Sequence, residues 1–324
     1  MNEIVRLLSA GERFALICHK SPDGDTLGSA MALALGLRQL GKSAEIFCQM
    51  AAPHTLRDLP LFDEIHTEPA MEPGYTAVAV DCADEERMGS MAELFRAGTH
   101  RLNIDHHVTN TRYGEANLVD STAGAAGEII WDVLKALGVQ PNREIALCAY
   151  IAVATDTGSF MYSNTTSRSL QVAAETFQQK FDHTDVCNRL FREQSLGRAR
   201  MIGLCAANLR MFCEGKIALS SATLEEMSRI GAVEEDADGA SAFLRDIDTV
   251  KAAAFLREVE PGVFKVSMRS KDTVDVCAVA KQFSGGGHVC AAGCTIRGDR
   301  ETAVTELSAA LTGALREAEH WTAS

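Results

Sequence analysis

The 324-residue sequence has no excess of positive charge: 31 Lys and Arg face 44 Asp and Glu, for a formal net charge of −13. Proteins that coat long nucleic acids neutralise many phosphates with Lys and Arg, so this balance argues against that class. Residues 206–324 contribute −5 and the remainder −8, so neither half is a basic module. There is no C-x-x-C pair either. The ten cysteines are scattered, several inside apolar runs (Cys18, Cys82, Cys148), and only Cys290 and Cys294 lie close together. That pattern sets aside zinc fingers and disulfide frameworks, and buried reduced thiols in a cytoplasmic protein are expected. No apolar run reaches the roughly eighteen residues that span a bilayer. Glu3, Arg6, Glu12 and Arg13 interrupt the N-terminal segment that a signal peptide would keep apolar. No membrane association is expected, and no repeat or low-complexity tract is present.

What is present is an ordinary globular composition, 46% hydrophobic and 23% charged, with length for two domains. The first half alternates short apolar runs with helical stretches. Strands are expected at Phe14–Cys18, Ala44–Cys48, Thr76–Val80 and Arg101–Ile104, and helices at Thr26–Leu40, Gly127–Leu137 and Asn142–Ala154. Apolar strands separated by helices imply an α/β fold, a parallel sheet with helices on both faces. After a mostly helical stretch the rhythm changes. Lys216–Ser220 and Ala252–Arg257 read as strands, Val263–Met268 alternates as a half-buried antiparallel strand, and the tail from about Glu301 to Ala318 reads as an amphipathic helix. The second half is therefore expected to be a smaller α/β domain with a mixed sheet. The expected division is 1–186, a helical connector at 187–208, and 209–324.

The chemistry concentrates in CHKSPDGDTLGS, Cys18–Ser29, directly after the first strand. Loops at the carboxyl ends of parallel strands form the ligand crevice. This loop offers His19, Asp23 and Asp25, and its sharp turn lets the two aspartates project toward common or adjacent points. The pattern recurs at later element ends: Asp81 after TAVAV, Asp105-His106-His107 after the fourth run, and Asp156 after the buried helix. Any one of these aspartates is also explained as a turn former or helix cap. Together, unpaired, they would repel one another. A pair of divalent metal ions removes that conflict, and mixed imidazole and carboxylate ligands suit Mn²⁺, then Mg²⁺ or Co²⁺, with zinc not excluded.

His19-x3-Asp23-x-Asp25, Asp81, Asp105-His106-His107 and Asp156 resemble the four motifs of the DHH phosphoesterase superfamily. Arg269-Ser270 and Gly285-Gly286-Gly287-His288, followed by Ala291-Ala292-Gly293, resemble the DHHA1 substrate domain. Within the superfamily, the compact two-domain length is similar to the nanoRNase and pAp phosphatase group. The resemblance implies a catalytic domain at 1–186 and a substrate-binding domain at 209–324. It implies His19, Asp23 and Asp81 on one metal ion, and Asp25, Asp81, His106 and Asp156 on a second, with Asp81 as the bridge. Asp105 would orient its neighbours, and His107 would act beside the scissile phosphate as hydrogen-bond donor or general acid. Two ions about 3.5–4 Å apart would activate a shared water for in-line attack. The glycine run departs from the usual GGGGH at its first position, Ser284, for which a small perturbation of the turn is expected.

Arg269, Ser270, Gly286, Gly287 and His288 would bind substrate. A guanidinium grips phosphate in a bidentate way, and consecutive glycines let backbone N–H groups approach an anion. Taken alone, GGGH is as well explained by a tight turn. It is no P-loop, since no Gly-Lys-Ser/Thr follows. His54, His66, His100, His183 and His320 are expected in surface or capping roles, Trp131 in the core, and Glu128 at a helix start, where it complements the dipole. The implied activity is hydrolysis of short RNA, dinucleotides to pentamers, to 5′-mononucleotides, together with dephosphorylation of pAp. Alternatives are a phosphodiesterase for linear signalling dinucleotides (pApA, pGpG) and a non-catalytic nucleotide-binding module. A homodimer is compatible with the sequence.

Overall fold

Short apolar runs become strands of a sheet in which every neighbouring pair is parallel. Strands β1 (Arg13–Ile17), β2 (Ser43–Phe47), β3 (Ile65–His66), β4 (Thr76–Val80), β5 (His100–Asp105) and β6 (Ala116–Val119) lie in the order β3-β2-β1-β4-β5-β6. The order reverses between β1 and β4, and such a switch point opens a crevice at the carboxyl ends of the strands. Phe14, Leu16, Val78 and Val80 enter one apolar layer, and Ala15, Ile17, Ala77 and Ala79 the other. With both faces covered, all five residues of TAVAV are buried and carry no polar alternation. Helices α1 (Asn2–Ala10), α2 (Gly24–Gln39), α4 (Ala126–Ala136) and α5 (Arg143–Asp156) supply residues to the first layer, and α3 (Ala92–Ala97) to the second. Helices α6 (Ser167–Thr176) and α7 (His183–Phe191) follow. The expected α/β class, a parallel sheet with helices on both faces, is the one observed.

This computed structural model describes residues 1–271 and 274–322, with side chains placed up to 319; the side chain of His320 therefore lies outside the described residues. Its contacts divide the chain into two units, Met1–Glu193 and Gln194–Ser324. The stretch 187–208 comprises the end of α7, a break, and helix α8 (Leu196–Ala207). In the first unit, α2 starts two residues before Thr26 because Asp23 caps it, Oδ1 accepting from the N–H groups of Asp25 (3.0 Å) and Thr26 (3.1 Å). Gly28 serves a close approach of α2 to α5. A β-carbon there would stand 2.5 Å from the Cys148 carbonyl. The antiparallel pairing sets Gly24 against Thr155, and so the first turn of α2 beside the last turn of α5.

The second unit has a mixed sheet of β7 (Arg210–Phe212), β8 (Ile217–Ala222), β9 (Ala252–Glu260), β10 (Val263–Ser270), β11 (Gly286–His288) and β12 (Ala291–Arg297), in the order β11-β12-β10-β9-β8-β7. Among the described residues of this unit, only β8 and β9 pair in parallel. Helices α8, α9 (Leu224–Ile230) and α10 (Ala240–Arg245) cover one face, and α11 (Val276–Gln282) and α12 (Arg300–Thr322) the other. The alternation of VFKVSM is realised as expected: Phe264, Val266 and Met268 are buried, while Lys265 and Ser267 are exposed. The glycine segment, explicable alone as a tight turn, is instead a three-residue edge strand paired with β12. Among the described residues, no helix is long and apolar enough to cross a membrane.

Candidate active site

The carboxyl ends of β1, β4 and β5 and the facing ends of α2 and α5 bring the sequence-predicted side chains of the first unit together. His19 follows β1, Asp81 follows β4, His106 and His107 follow β5, and Asp156 is the last residue of α5. His19 Nε2 lies 3.5 Å from Asp23 Oδ2 and 3.6 Å from Asp81 Oδ2. His106 Nε2 lies 3.4 Å from the other Asp81 oxygen, Oδ1, 3.6 Å from Asp156 Oδ2 and 3.7 Å from Asp25 Oδ2. The two oxygens of Asp81 thus face two different sets. His107 Nδ1 also comes within 3.5 Å of Asp81 Oδ1, so the geometry offers a third grouping of Asp81, His106 and His107. In each group the ligand-type atoms lie within 4.8 Å of one another.

Electrostatics make this cluster a conflict as it stands. Complete burial, then the nearby Asp81, pushes the Asp25 carboxyl well above the usual range, although Ser29 and two backbone N–H groups donate to it. Burial also raises Asp81, and raises Asp156 to about 6. For His106, burial works against the charge. Asp81, Asp25 and Asp156 outweigh it and push the imidazole up to about 10. His19 Nε2 and Asp81 Oδ1 are buried with no hydrogen-bond partner among the described residues. Such orphaned atoms, aimed into clustered carboxylates, are what a bound cation satisfies, so the donor set fits a divalent metal. His106 Nδ1 lies 3.3 Å from the Ala123 carbonyl, which can accept its proton, so that a cation bound among the carboxylates would displace the proton on Nε2.

Asp105 stands behind this group. It is fully buried and accepts from His107 Nδ1 at 2.8 Å and from Asn110 Nδ2 at 2.5 Å. Burial opposes its charge, but His107 and Asn110 hold its carboxyl below the usual range. Asn110 donates as well to Asn103 Oδ1 and the Cys82 carbonyl, and Tyr113 OH reaches that same carbonyl. Sequence reasoning missed Ser29, Asn103, Asn110 and Tyr113. Asn110, three residues beyond the histidine pair, is the one a spacing argument had within reach. Glu128 is in the first turn of α4 as expected, yet it is only 2% exposed, and its Oε1 accepts from the Gly124 N–H (3.0 Å) and Ser169 Oγ (2.5 Å).

In the second unit, Arg269 is half-buried on the same side of β10 as Lys265 and Ser267, and forms no ion pair among the described residues. Ser270 is buried, its hydroxyl donating to the Val274 carbonyl at 2.6 Å. Gly286, Gly287 and His288 are exposed along β11. Ser284 adopts φ +58°, the left-handed region that the usual glycine would occupy without strain. Among the remaining histidines, His66 and His100 each meet a single glutamate, His54 contacts Arg57, and His183 packs at a tilt against Phe177. Trp131 is buried as expected.

A switch-point crevice lined by carboxylates and imidazoles, followed in the chain by a mixed-sheet unit with an exposed Gly-Gly-His strand, defines a DHH-type phosphoesterase architecture. The chain belongs to the DHH–DHHA1 family: residues 13–153 match the DHH family N-terminal domain, and residues 219–317 match the DHHA1 domain. It is 36% identical over 284 residues to the bifunctional oligoribonuclease and PAP phosphatase NrnA of Thermus thermophilus, covering 86% of this chain and 83% of that one. The protein of the same description from Bacillus subtilis is 28% identical, covering 91% and 92%. The fold is shared with an exopolyphosphatase-related protein from Bacteroides fragilis, at TM-score 0.87 and 23% identity over 98% and 97% of the two chains.

Proposed function

We propose that this protein hydrolyses phosphoester bonds in very short RNA, releasing 5′-mononucleotides, and removes the 3′-phosphate of pAp. The observation that carries the reading is the convergence of His19, Asp23, Asp25, Asp81, His106 and Asp156, with the two oxygens of Asp81 facing two separate sets and two of the cluster's buried atoms without partners among the described residues. In this reading His19, Asp23 and Asp81 hold one divalent ion, and Asp25, Asp81, His106 and Asp156 the other; Mn²⁺ suits the mixed donors, with Mg²⁺ or Co²⁺ as substitutes. When bound, the ions supply Lewis-acid stabilisation of phosphoryl charge and acidify the attacking water. The chain's own residues do the rest. Asp105 holds His107 through Nδ1, so Nε2 is presented to the leaving oxygen as hydrogen-bond donor or general acid. Arg269, with no carboxylate competing for it among the described residues, and backbone N–H groups of the exposed glycine strand bind a phosphate, with His288 beside them. A cytoplasmic setting fits this reading, since short RNA fragments and pAp arise where RNA and nucleotides are processed.

The test is to load the protein with Mn²⁺, confirm the bound metal, and supply pAp and an end-labelled RNA dinucleotide. Release of AMP and of mononucleotide is expected. No release from metal-loaded protein overturns the proposal, and turnover confined to pApA or pGpG would replace it with a signalling-dinucleotide phosphodiesterase.

A further inference from the structure

Asp25, His106 and Asp156 come from three places far apart in the chain, and one short turn touches the hold on all of them. The turn is Ala123-Gly124-Ala125-Ala126-Gly127. Its Ala123 carbonyl lies 3.3 Å from His106 Nδ1. The Ala126 and Gly127 N–H groups donate to the Asp25 carboxylate at 2.7 and 2.9 Å. The Gly124 carbonyl accepts from Asn164 Nδ2 at 2.9 Å, and that same nitrogen lies 3.1 Å from the Asp156 carbonyl and 3.2 Å from Asp156 Oδ2. The opposite side of Gly124 is closed by Glu128 and Ser169, and a β-carbon at 124 would stand 2.7–2.8 Å from Ser169 Oγ, the Asn164 carbonyl and Glu128 Oε1.

We propose that Asn164 is a positioning residue for the group Asp25–His106–Asp156, tying the Asp156 carboxylate to the turn that already holds the other two. The inference rests on the reading of that group as a divalent-metal site. The amide suits the task. It donates, so it orients a carboxylate oxygen; it is neutral, so it adds no charge to a crowded anionic cluster and does not compete as a strong ligand. Without it, Asp156 loses its reference to the turn, while His19, Asp23 and the Oδ2 side of Asp81 keep theirs. The consequence is a loss confined to one of two ions.

The experiment measures Mn²⁺ binding to the full-length protein without substrate, by calorimetry and by the electron paramagnetic resonance of unbound Mn²⁺, for wild type, Asn164→Ala and the uncharged, near-isosteric Asn164→Leu. The thermal midpoint of each metal-free protein is recorded alongside. Both variants are expected to keep one ion at wild-type affinity and to bind the second about 10- to 100-fold more weakly, the range for lost support of a ligand. Their turnover should recover as Mn²⁺ is raised. A packing role would leave Asn164→Leu, which keeps the volume but lacks the donor, behaving as wild type; that result overturns the proposal, as does an equal weakening of both ions. Wild-type protein that binds no Mn²⁺ would instead remove the metal-site reading beneath it.

Discussion

Asp81 is held at φ +58°, where a residue with a β-carbon is strained by about 1–3 kcal/mol. Its N–H donates to the Ile104 carbonyl at 2.9 Å, and its two oxygens face His19 and His106. The strain and the buried charge both oppose folding, so neither is explained by stability. Replacing Asp81 with Asn keeps the shape and removes the charge. Metal-dependent turnover should fall by at least about 100-fold, given that even supporting residues of a metal site cost 10- to 100-fold. The thermal midpoint of the metal-free variant should rise at neutral pH, because one of several crowded carboxylates is gone. Scanning calorimetry in chelator, beside an assay in Mn²⁺, reads both. A metal-free midpoint that drops would show that Asp81 holds the fold rather than the site.

The helices around the site are braced by polar contacts as well as apolar ones. On α6, Glu175 accepts from Trp131 Nε1 (2.6 Å) and Lys135 Nζ (2.9 Å) of α4 and from Arg168 Nη1 (3.1 Å), while Arg168 also reaches Asp132. Burial opposes the Glu175 charge, but these donors pull its carboxyl down to about 2. A carboxyl lowered on folding stabilises fully above its unfolded pKa of about 4.5 and loses that contribution as pH falls toward 2. Glu175→Gln should therefore lower the thermal midpoint at pH 7, with the gap to wild type closing progressively below pH ~4.5. A pH-independent gap would mean the loss is one of packing. Among the elements themselves, TAVAV matched its strand residue for residue, because a strand buried on both faces is written as an unbroken apolar run. β11 was not legible as a strand. Gly286 and Gly287 have no side chains to alternate, and their extended form is imposed by pairing with β12. β6, four residues long, and the two-residue β3 are too short to show a period.

At the scale of the molecule, the net charge of −13 limits which phosphates approach. Each further nucleotide brings another negative charge toward a like-charged surface with no basic module to receive it. Across ribo-oligonucleotides of increasing length, turnover should be fastest from dinucleotides to pentanucleotides and fall beyond. Raising salt from ~50 to ~300 mM should narrow the difference by screening the repulsion. Product analysis of such a series checks this. Turnover that rises with length, or long substrates lost steeply with salt, would signal binding through cations and counterion release instead.

The fold class and the ligand-type residues of the crevice could be read from the sequence alone, because an apolar run, a turn and a carboxylate after it are local chemical facts. Tertiary structure alone decided that Asp81 turns one oxygen to each set, that His106 presents Nε2, and that Ala123–Gly127 and Asn164 tie three distant side chains together. That turn works through N–H and C=O groups, which every residue but proline carries alike, so no letter in Ala-Gly-Ala-Ala-Gly announces it. Only folding, which sets residues 25, 106 and 164 within hydrogen-bond reach of that turn, gives those groups a direction.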